Sequence, residues 1–334
     1  MRYILLLWPH ANARYQAESL RLARAELELM LRREAPEAGI LGETGLELPA
    51  VAFETPAPLA PSALNALQRH SLCYGLFEAR EDGALVPRAG RARAYLGADL
   101  SGILKYKGKT NEIFLQLLIN CALYAGEHWQ RQAERLDFYD PMCGRATALF
   151  EAVNRGWNAT GTDIDRGDLD EADRFFKRYL EYHRFKHARE KGALTVNGGK
   201  PAPLMSYRFA ATPEAYRAGD ARELRLIHLD AARAREALGK RRFHVLAADL
   251  PYGVQHHSGG VEGLLAKALP GWRETLLPGG ALAVSFNSQT LKTERVRALL
   301  REAGFEVPEG GPWDGFSHWV EQAVTRDIAV GVRR

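Results

Sequence analysis

The sequence predicts an α/β protein: a mostly parallel, doubly wound sheet, preceded by a smaller α+β domain. Three observations predict it. From about residue 105 onward short apolar runs alternate with helical stretches, the pattern of parallel strands joined by helical crossovers. Several of those runs end in small or acidic residues, where an open α/β sheet binds its ligands. Residues 1–87 read instead as strand, long helix, strand, helix, strand. The 334 residues, 46% hydrophobic and 26% charged, suffice for two domains with cores of their own, placed at 1–100 and 101–334.

In the first domain Tyr3 to Trp8 is a strand. The stretch Asn12 to Arg33 is a helix with Ala13, Ala17, Leu20, Ala23, Leu27, Met30 and Leu31 on one face. Thr55-Pro56-Ala57-Pro58 breaks the chain after a second strand, Pro61-Ser62 starts a helix, and Leu72 to Ala79 is a third strand. A basic connection with Lys105, Lys107 and Lys109 leads into an apolar helix, Ile113 to Ala125. Then come a strand at 136–139, a helix Ala146 to Arg155, a strand at 159–163 and a helix Asp168 to Tyr182. Further strands are His244 to Asp249, Ala281 to Phe286 and, last, Arg326 to Val332. Lys191 to Ala211 interrupts this rhythm: Val196-Asn197-Gly198-Gly199-Lys200-Pro201 is a turn between two β-prone runs, a hairpin inserted into the sheet's connections.

No stretch reaches the roughly 18 to 20 apolar residues of a membrane span. Met1 to Pro9 is too short for a signal peptide and reads as a buried strand. Cys73, Cys121 and Cys143 are odd in number and widely spaced, which fits neither a disulfide framework nor a zinc knuckle and points to a cytoplasmic protein. A net charge of +4, from 45 Lys plus Arg against 41 Asp plus Glu, permits nucleic-acid binding without demanding it.

Four motifs carry chemistry. Asp140-Pro141-Met142-Cys143-Gly144-Arg145-Ala146-Thr147 joins a strand to a helix, with Gly144 and Ala146 small enough for a ligand to approach the backbone. About 20 residues on, Gly161-Thr162-Asp163-Ile164-Asp165 ends the next strand where an acid binds ribose hydroxyls. Asp163 is the better placed, and Asp165 suits a helix cap. The absence of Gly-x-Gly-x-x-Gly at the first loop disfavours a nicotinamide dinucleotide. Ala218-Gly219-Asp220-Ala221-Arg222 is either an adenine contact or a surface turn. Ala248-Asp249-Leu250-Pro251-Tyr252-Gly253 ends an apolar strand. An exocyclic base amine has its lone pair delocalised into the ring; the Asp249 carboxylate and the Leu250 or Pro251 carbonyl can accept its hydrogens and favour attack by the lone pair. Proline's fixed φ aims these groups, and Tyr252 can stack on an extruded base.

These residues resemble the amino-group methyltransferases that carry an Asp/Asn-Pro-Pro-Tyr motif, and within them the tRNA guanosine N2-methyltransferases of the THUMP-associated kind. The resemblance covers about Tyr106 to the C-terminus. It rests on Thr110-Asn111-Glu112, the 140–144 and 161–165 motifs, Asp249-Leu250-Pro251-Tyr252-Gly253 and Leu277-Pro278-Gly279-Gly280, with a slighter likeness at Asn12-Ala13-Arg14-Tyr15. It implies a Rossmann-like class I methyltransferase domain, with a mostly parallel seven-stranded sheet whose last strand is antiparallel. It implies S-adenosyl-L-methionine (SAM) as cofactor, and RNA, tRNA first, as partner, positioned by a THUMP-like N-terminal domain. A small activating subunit is left open. By the same resemblance Pro141, Cys143 and Gly144 line the cofactor, Asp163 holds its ribose and Asp220 its adenine. Thr110, Asn111, Asp140, Ile164, Ala221 and Asp249 complete the cofactor set, and Asp249 with Pro251 and Tyr252 forms the catalytic motif. Two departures stand out: Arg145-Ala146 replaces a small residue and a second glycine, narrowing the loop, and Leu250 replaces the first proline while keeping its carbonyl.

Two rival readings remain at this level, a DNA methyltransferase acting on adenine N6 or cytosine N4, and a non-catalytic RNA-binding protein with a degenerate loop. No metal is expected: His256-His257 has no third ligand at suitable spacing, and Val254 to Gly260 reads as a loop closing over the target nucleotide. Asn287 is either a pocket residue or a strand terminus, and the three lysines at 105–109 either contact phosphates or belong to a solvated linker.

Overall fold

A computed structural model of the protein describes residues 1–9, 13–42, 44, 46–106, 108–196, 199–251 and 260–334, of 13–15 the backbone only. Asn12, Lys107, Asn197, Gly198, Tyr252, Gly253 and the 254–259 stretch with His256 and His257 lie outside the described residues. The chain forms two compact units, 1–93 with 309–327, and 94–308 with 328–334.

The first unit contains β1 (Arg2–Leu7), α1 (Ala13–Glu34), β2 (Gly39–Ile40), β3 (Ala50–Glu54), α2 (Pro61–Leu67), β4 (Cys73–Ala79) and β5 (Leu85–Gly90). Its sheet runs β2-β3-β1-β4-β5, antiparallel at every pair. Ala23, Leu27, Met30 and Leu31 bury one face of α1, while Leu20, on that face by spacing, is 41% exposed. Arg32 and Arg33 in its last turn oppose the negative end of the helix dipole.

The predicted single division near residue 100 does not hold, because residues 309–327 return to this unit. A Cβ on Gly315 would stand 2.8 Å from Ala25 Cβ, so glycine lets the returning backbone lie against α1. There Arg21 donates to the carbonyls of Gly315, at 2.8 Å, and Ser317, and Phe316 is fully buried.

The second unit opens with α3 (Leu100–Ile103), α4 (Glu112–Ala125), β6 (Asp137–Asp140), α5 (Thr147–Asn154), β7 (Asn158–Asp163) and α6 (Arg166–Tyr182). It continues with β8 (His187–Leu194), β9 (Ala202–Phe209), α7 (Pro213–Arg217), β10 (Arg222–His228), α8 (Ala234–Leu238), β11 (Phe243–Asp249), α9 (Gly260–Thr275), β12 (Leu276–Asn287) and α10 (Thr293–Glu302). β13 (His318–Glu321), in the returning segment, and β14 (Val324–Val332) complete the strands. The α/β fold has a parallel centre: β12-β11-β6-β7-β10 pair in parallel throughout.

Seven strands are expected from the sequence, and among the described residues the sheet has nine, in the order β13-β14-β12-β11-β6-β7-β10-β9-β8. The hairpin β8–β9, read from the sequence as an insertion, adds two antiparallel strands beside β10, in register from His187↔Phe209 to Leu194↔Ala202. β13 pairs with the first residues of β14, and Glu306 makes only an isolated bridge to Val332. Tyr139, Phe243, Leu246, Trp272, Leu282 and Val284 belong to one buried cluster under the helices. Among the described residues no helix is long and apolar enough to cross a membrane.

Strand order reverses between β6 and β11: the chain steps outward through β7 to β10, then returns to lay β11 and β12 on the other side. Such a switch point opens a crevice at the carboxyl ends of the two strands. Asp140 ends one of them and Asp249 the other.

Candidate active site

The crevice holds a cavity of about 340 Å3, within the usual range of small-molecule sites. Its wall includes Thr110, Asp140, Cys143, Gly144, Asp249 and Pro251 of the predicted set, with Tyr106, Met142, Arg145, Asp168 and Leu250 beside them.

The loop after β6 is fastened to the end of β7. Asp140 Oδ1 accepts from the Met142 N–H at 2.9 Å, Thr162 Oγ1 donates to the Pro141 carbonyl at 2.8 Å, and the Cys143 N–H donates to the Thr162 carbonyl at 2.9 Å. The Gly144 N–H donates to Asp163 Oδ2 at 2.7 Å, while Asp163 Oδ1 accepts from the Asp165 N–H at 2.8 Å. Gly161 is what lets the loop lie so close: a Cβ there would come within 2.6 Å of Cys143 Sγ and 2.5 Å of Leu149 Cδ1. Ala146 stands in the left-handed region at φ 70°, where the absent second glycine would be at ease.

Burial raises Asp140 well above the ordinary carboxyl range, and the nearby Asp163 and Asp249 carboxylates push the same way. Burial also raises Asp163, against the backbone N–H bonds from Asp165 and Gly144. Each carboxylate oxygen has more than one lone pair, so Asp163 can bond its own loop and still accept from a ligand.

Asp249 is held from two sides. Thr110 Oγ1 donates to its Oδ2, and Ser285 Oγ donates to its Oδ1 at 2.6 Å. Ser285 is fully buried on β12, directly opposite Asp249 in the parallel register, and the Leu250 N–H donates to the Ser285 carbonyl at 2.9 Å. The carboxylate's direction is therefore set before any substrate arrives. Ser285 escapes sequence reading because it looks like one polar residue interrupting an apolar strand.

Other predicted residues fall elsewhere. Asn111 does not line the cavity: its side chain caps α4, accepting from the Ile113 N–H at 2.8 Å, and so fixes Thr110 beside Asp249. Pro141 and Ile164 lie with Met142, Asp163, Asp230, Ala231 and Leu264 around a smaller recess of about 30 Å3. Asp165 caps α6 through the Gly167 and Asp168 N–H groups. Asn287 closes a strand-terminal turn, accepting from the Gln289 N–H, and Lys109 donates to the Ser101 carbonyl.

Asp220 and Ala221 are not brought to the site. They precede β10, whose register against β7 runs from Leu224↔Ala159 to His228↔Asp163, so they lie at the opposite end of the strands from Asp163. There Asp220 pairs with Arg222 at 2.5 Å and its side chain is 60% exposed. The acid at the correct end is Asp230, two residues past the end of β10 and in the recess that holds Asp163 and Ile164. Among the described residues no group of His, Cys, Asp and Glu is arranged to hold a metal ion.

No family model matches the chain, and no curated protein matches it. Solved structures similar to it include TrmN from Thermus thermophilus, 14% identical with a TM-score of 0.45 over 100% of both chains. Magnesium protoporphyrin IX methyltransferase from Synechocystis with bound SAM is 14% identical with a TM-score of 0.39, over 71% of this chain and 90% of its own. A ribosomal protein L11 methylase from Lactobacillus delbrueckii is 12% identical with a TM-score of 0.36, over 66% and 80%. Likenesses this distant decide nothing about chemistry.

Proposed function

We propose that the chain is a SAM-dependent methyltransferase acting on an exocyclic amine of a nucleobase, guanosine N2 in tRNA. The observation that carries this is the Asp249 carboxylate, fixed by the Thr110 and Ser285 hydroxyls in the wall of a cavity at the β6/β11 switch point.

The cavity's chemistry fits the cofactor. Its lining has three carboxylates, Asp140, Asp168 and Asp249, against the one guanidinium of Arg145. That excess suits a ligand whose sulfonium and ammonium outweigh its carboxylate, and it opposes a pyrophosphate. In this reading Asp163 accepts from the ribose hydroxyls and Asp230 from the adenine amine, with Ile164 and Leu264 giving apolar contact; the recess these four residues share supports it. The bound cofactor supplies an activated methyl group on a sulfonium.

Asp249 accepts a hydrogen bond from the amine and orients it. As the nitrogen gains its methyl it must lose a proton, for which the Asp249 carboxylate is the acceptor in reach. No covalent intermediate with the protein is needed, so positioning provides most of the rate. The motif residues serve any exocyclic amine alike, and the family resemblance is what favours guanosine N2 in tRNA over a DNA amine; we assign the first unit, 1–93 with 309–327, to positioning that RNA.

Calorimetry with SAM and with S-adenosylhomocysteine tests the assignment at its base. One molecule bound per chain is expected; no heat with either ligand would remove the reading altogether.

A further inference from the structure

Arg145 stands in the loop where the resembled family carries a small residue, and it projects into the cavity. Asp168 receives its Nε at 2.8 Å and Glu171 its Nη1 at 2.8 Å. The guanidinium also covers the Tyr106 ring at 4.5 Å, and the Tyr106 hydroxyl meets Thr147 Oγ1 at 3.2 Å. The side chain is thus held in one place while keeping a quarter of its surface exposed.

Two acids and a ring are more than a surface arginine needs. Arg145 is the only Lys or Arg lining the cavity among the described residues. Its acidic neighbours suit the cationic groups of a ligand and repel any anionic one. A ligand that brings an α-amino acid carboxylate with it needs one cation in that surrounding. A guanidinium has five N–H donors in a planar fork that matches a carboxylate. Nε and Nη1 reach Asp168 and Glu171, and those two bonds use only part of the fork's donors.

Resting on the cofactor assignment above, we propose that Arg145 binds the carboxylate of the cofactor's amino acid moiety, and that Asp168, Glu171 and Tyr106 hold it in position to do so. The loop then selects for the amino acid end of the ligand by a charge pair, where a glycine-rich loop offers only backbone. Atoms of the methyl transfer itself are untouched by Arg145, so its effect falls on binding.

The test compares two ligands that differ only at that end: S-adenosylhomocysteine, and 5′-methylthioadenosine, which keeps the nucleoside thioether and lacks the carboxylate and amine. In Arg145→Ser, calorimetry is expected to show S-adenosylhomocysteine weakened by about tenfold or more, the range of a charge-assisted hydrogen bond, with methylthioadenosine within twofold of wild type. Glu171→Gln releases one edge of the guanidinium and is expected to tighten S-adenosylhomocysteine several-fold while leaving methylthioadenosine alone. Equal loss of both ligands in Arg145→Ser, loss of neither, or weaker S-adenosylhomocysteine binding in Glu171→Gln overturns the role of Arg145. A wild-type chain that binds neither nucleoside overturns the cofactor assignment first, and this role with it.

Discussion

Ser285 Oγ lies 2.6 Å from Asp249 Oδ1, and the two residues face each other across the parallel pair β11–β12. The bond joins a buried hydroxyl to the carboxylate on which the proposed chemistry depends. Replacing Ser285 by alanine removes one of the two hydroxyls that aim this carboxylate. Turnover is expected to fall by about tenfold or more with cofactor affinity unchanged. Asp249→Ala is expected to keep cofactor binding and lose transfer. Calorimetry beside a single-turnover assay checks both, and undiminished transfer by Asp249→Ala contradicts the catalytic assignment.

Ala146 supplies a second test, this time of the loop. A left-handed alanine costs about 1–2 kcal/mol; glycine removes that strain, and the greater freedom of its unfolded chain takes back part of the gain. Ala146→Gly is therefore expected to stabilise the protein by about 0.5–1 kcal/mol, read as a higher urea midpoint with an unchanged slope. A lower midpoint would show that the left-handed turn is not strained.

Much of this arrangement was legible in the chain. The apolar runs at 136–139, 244–249 and 281–286 mark β6, β11 and β12, because strands buried on both faces leave continuous apolar stretches. Asp140 and Asp249 could be picked out because each ends such a run. β10 is harder to read: Arg222, Glu223 and Arg225 interrupt its apolar residues, so the spacing does not mark its ends or show that Asp220 precedes the strand while Asp230 follows it. Ser285 and the returning segment at 309–327 depend on contacts between distant residues. No local spacing records that Gly315 meets Ala25 or that Ser285 faces Asp249.

Asp140 makes cofactor binding depend on pH. Burial raises its pKa above the ordinary 3.8 in the folded chain. Between those two values the folded state holds more protons than the unfolded one, so the stability of the free protein falls as pH rises. A cation in the cavity favours the ionised carboxylate, so binding releases a proton and affinity climbs with pH over the same window, by up to about tenfold per unit. Calorimetry in buffers of different ionisation enthalpy measures that release. Asp140→Asn is expected to abolish it, and a persistent pH slope in the variant assigns the proton elsewhere.

His318 bears on the first unit. Burial pushes it from 6.5 to about 4, with the Arg326 and Arg21 charges adding to the effect. The unfolded chain then binds the proton more readily, and the stability that depends on a neutral His318 is lost as pH falls from about 6.5 toward 4. The protection of the returning segment against hydrogen exchange, taken relative to the intrinsic rate at each pH, should fall across that range in wild type. In His318→Gln the fall should be reduced, and an identical profile in both proteins would assign the acid sensitivity to another group.

The most direct measurement is nucleoside mass spectrometry after incubating wild type and Asp249→Ala with methyl-labelled SAM and, separately, undermodified tRNA and DNA. The account predicts labelled N2-methylguanosine from tRNA with wild type and none with the variant. Label found only in DNA, on a carbon or oxygen atom, or equally with both proteins would contradict it.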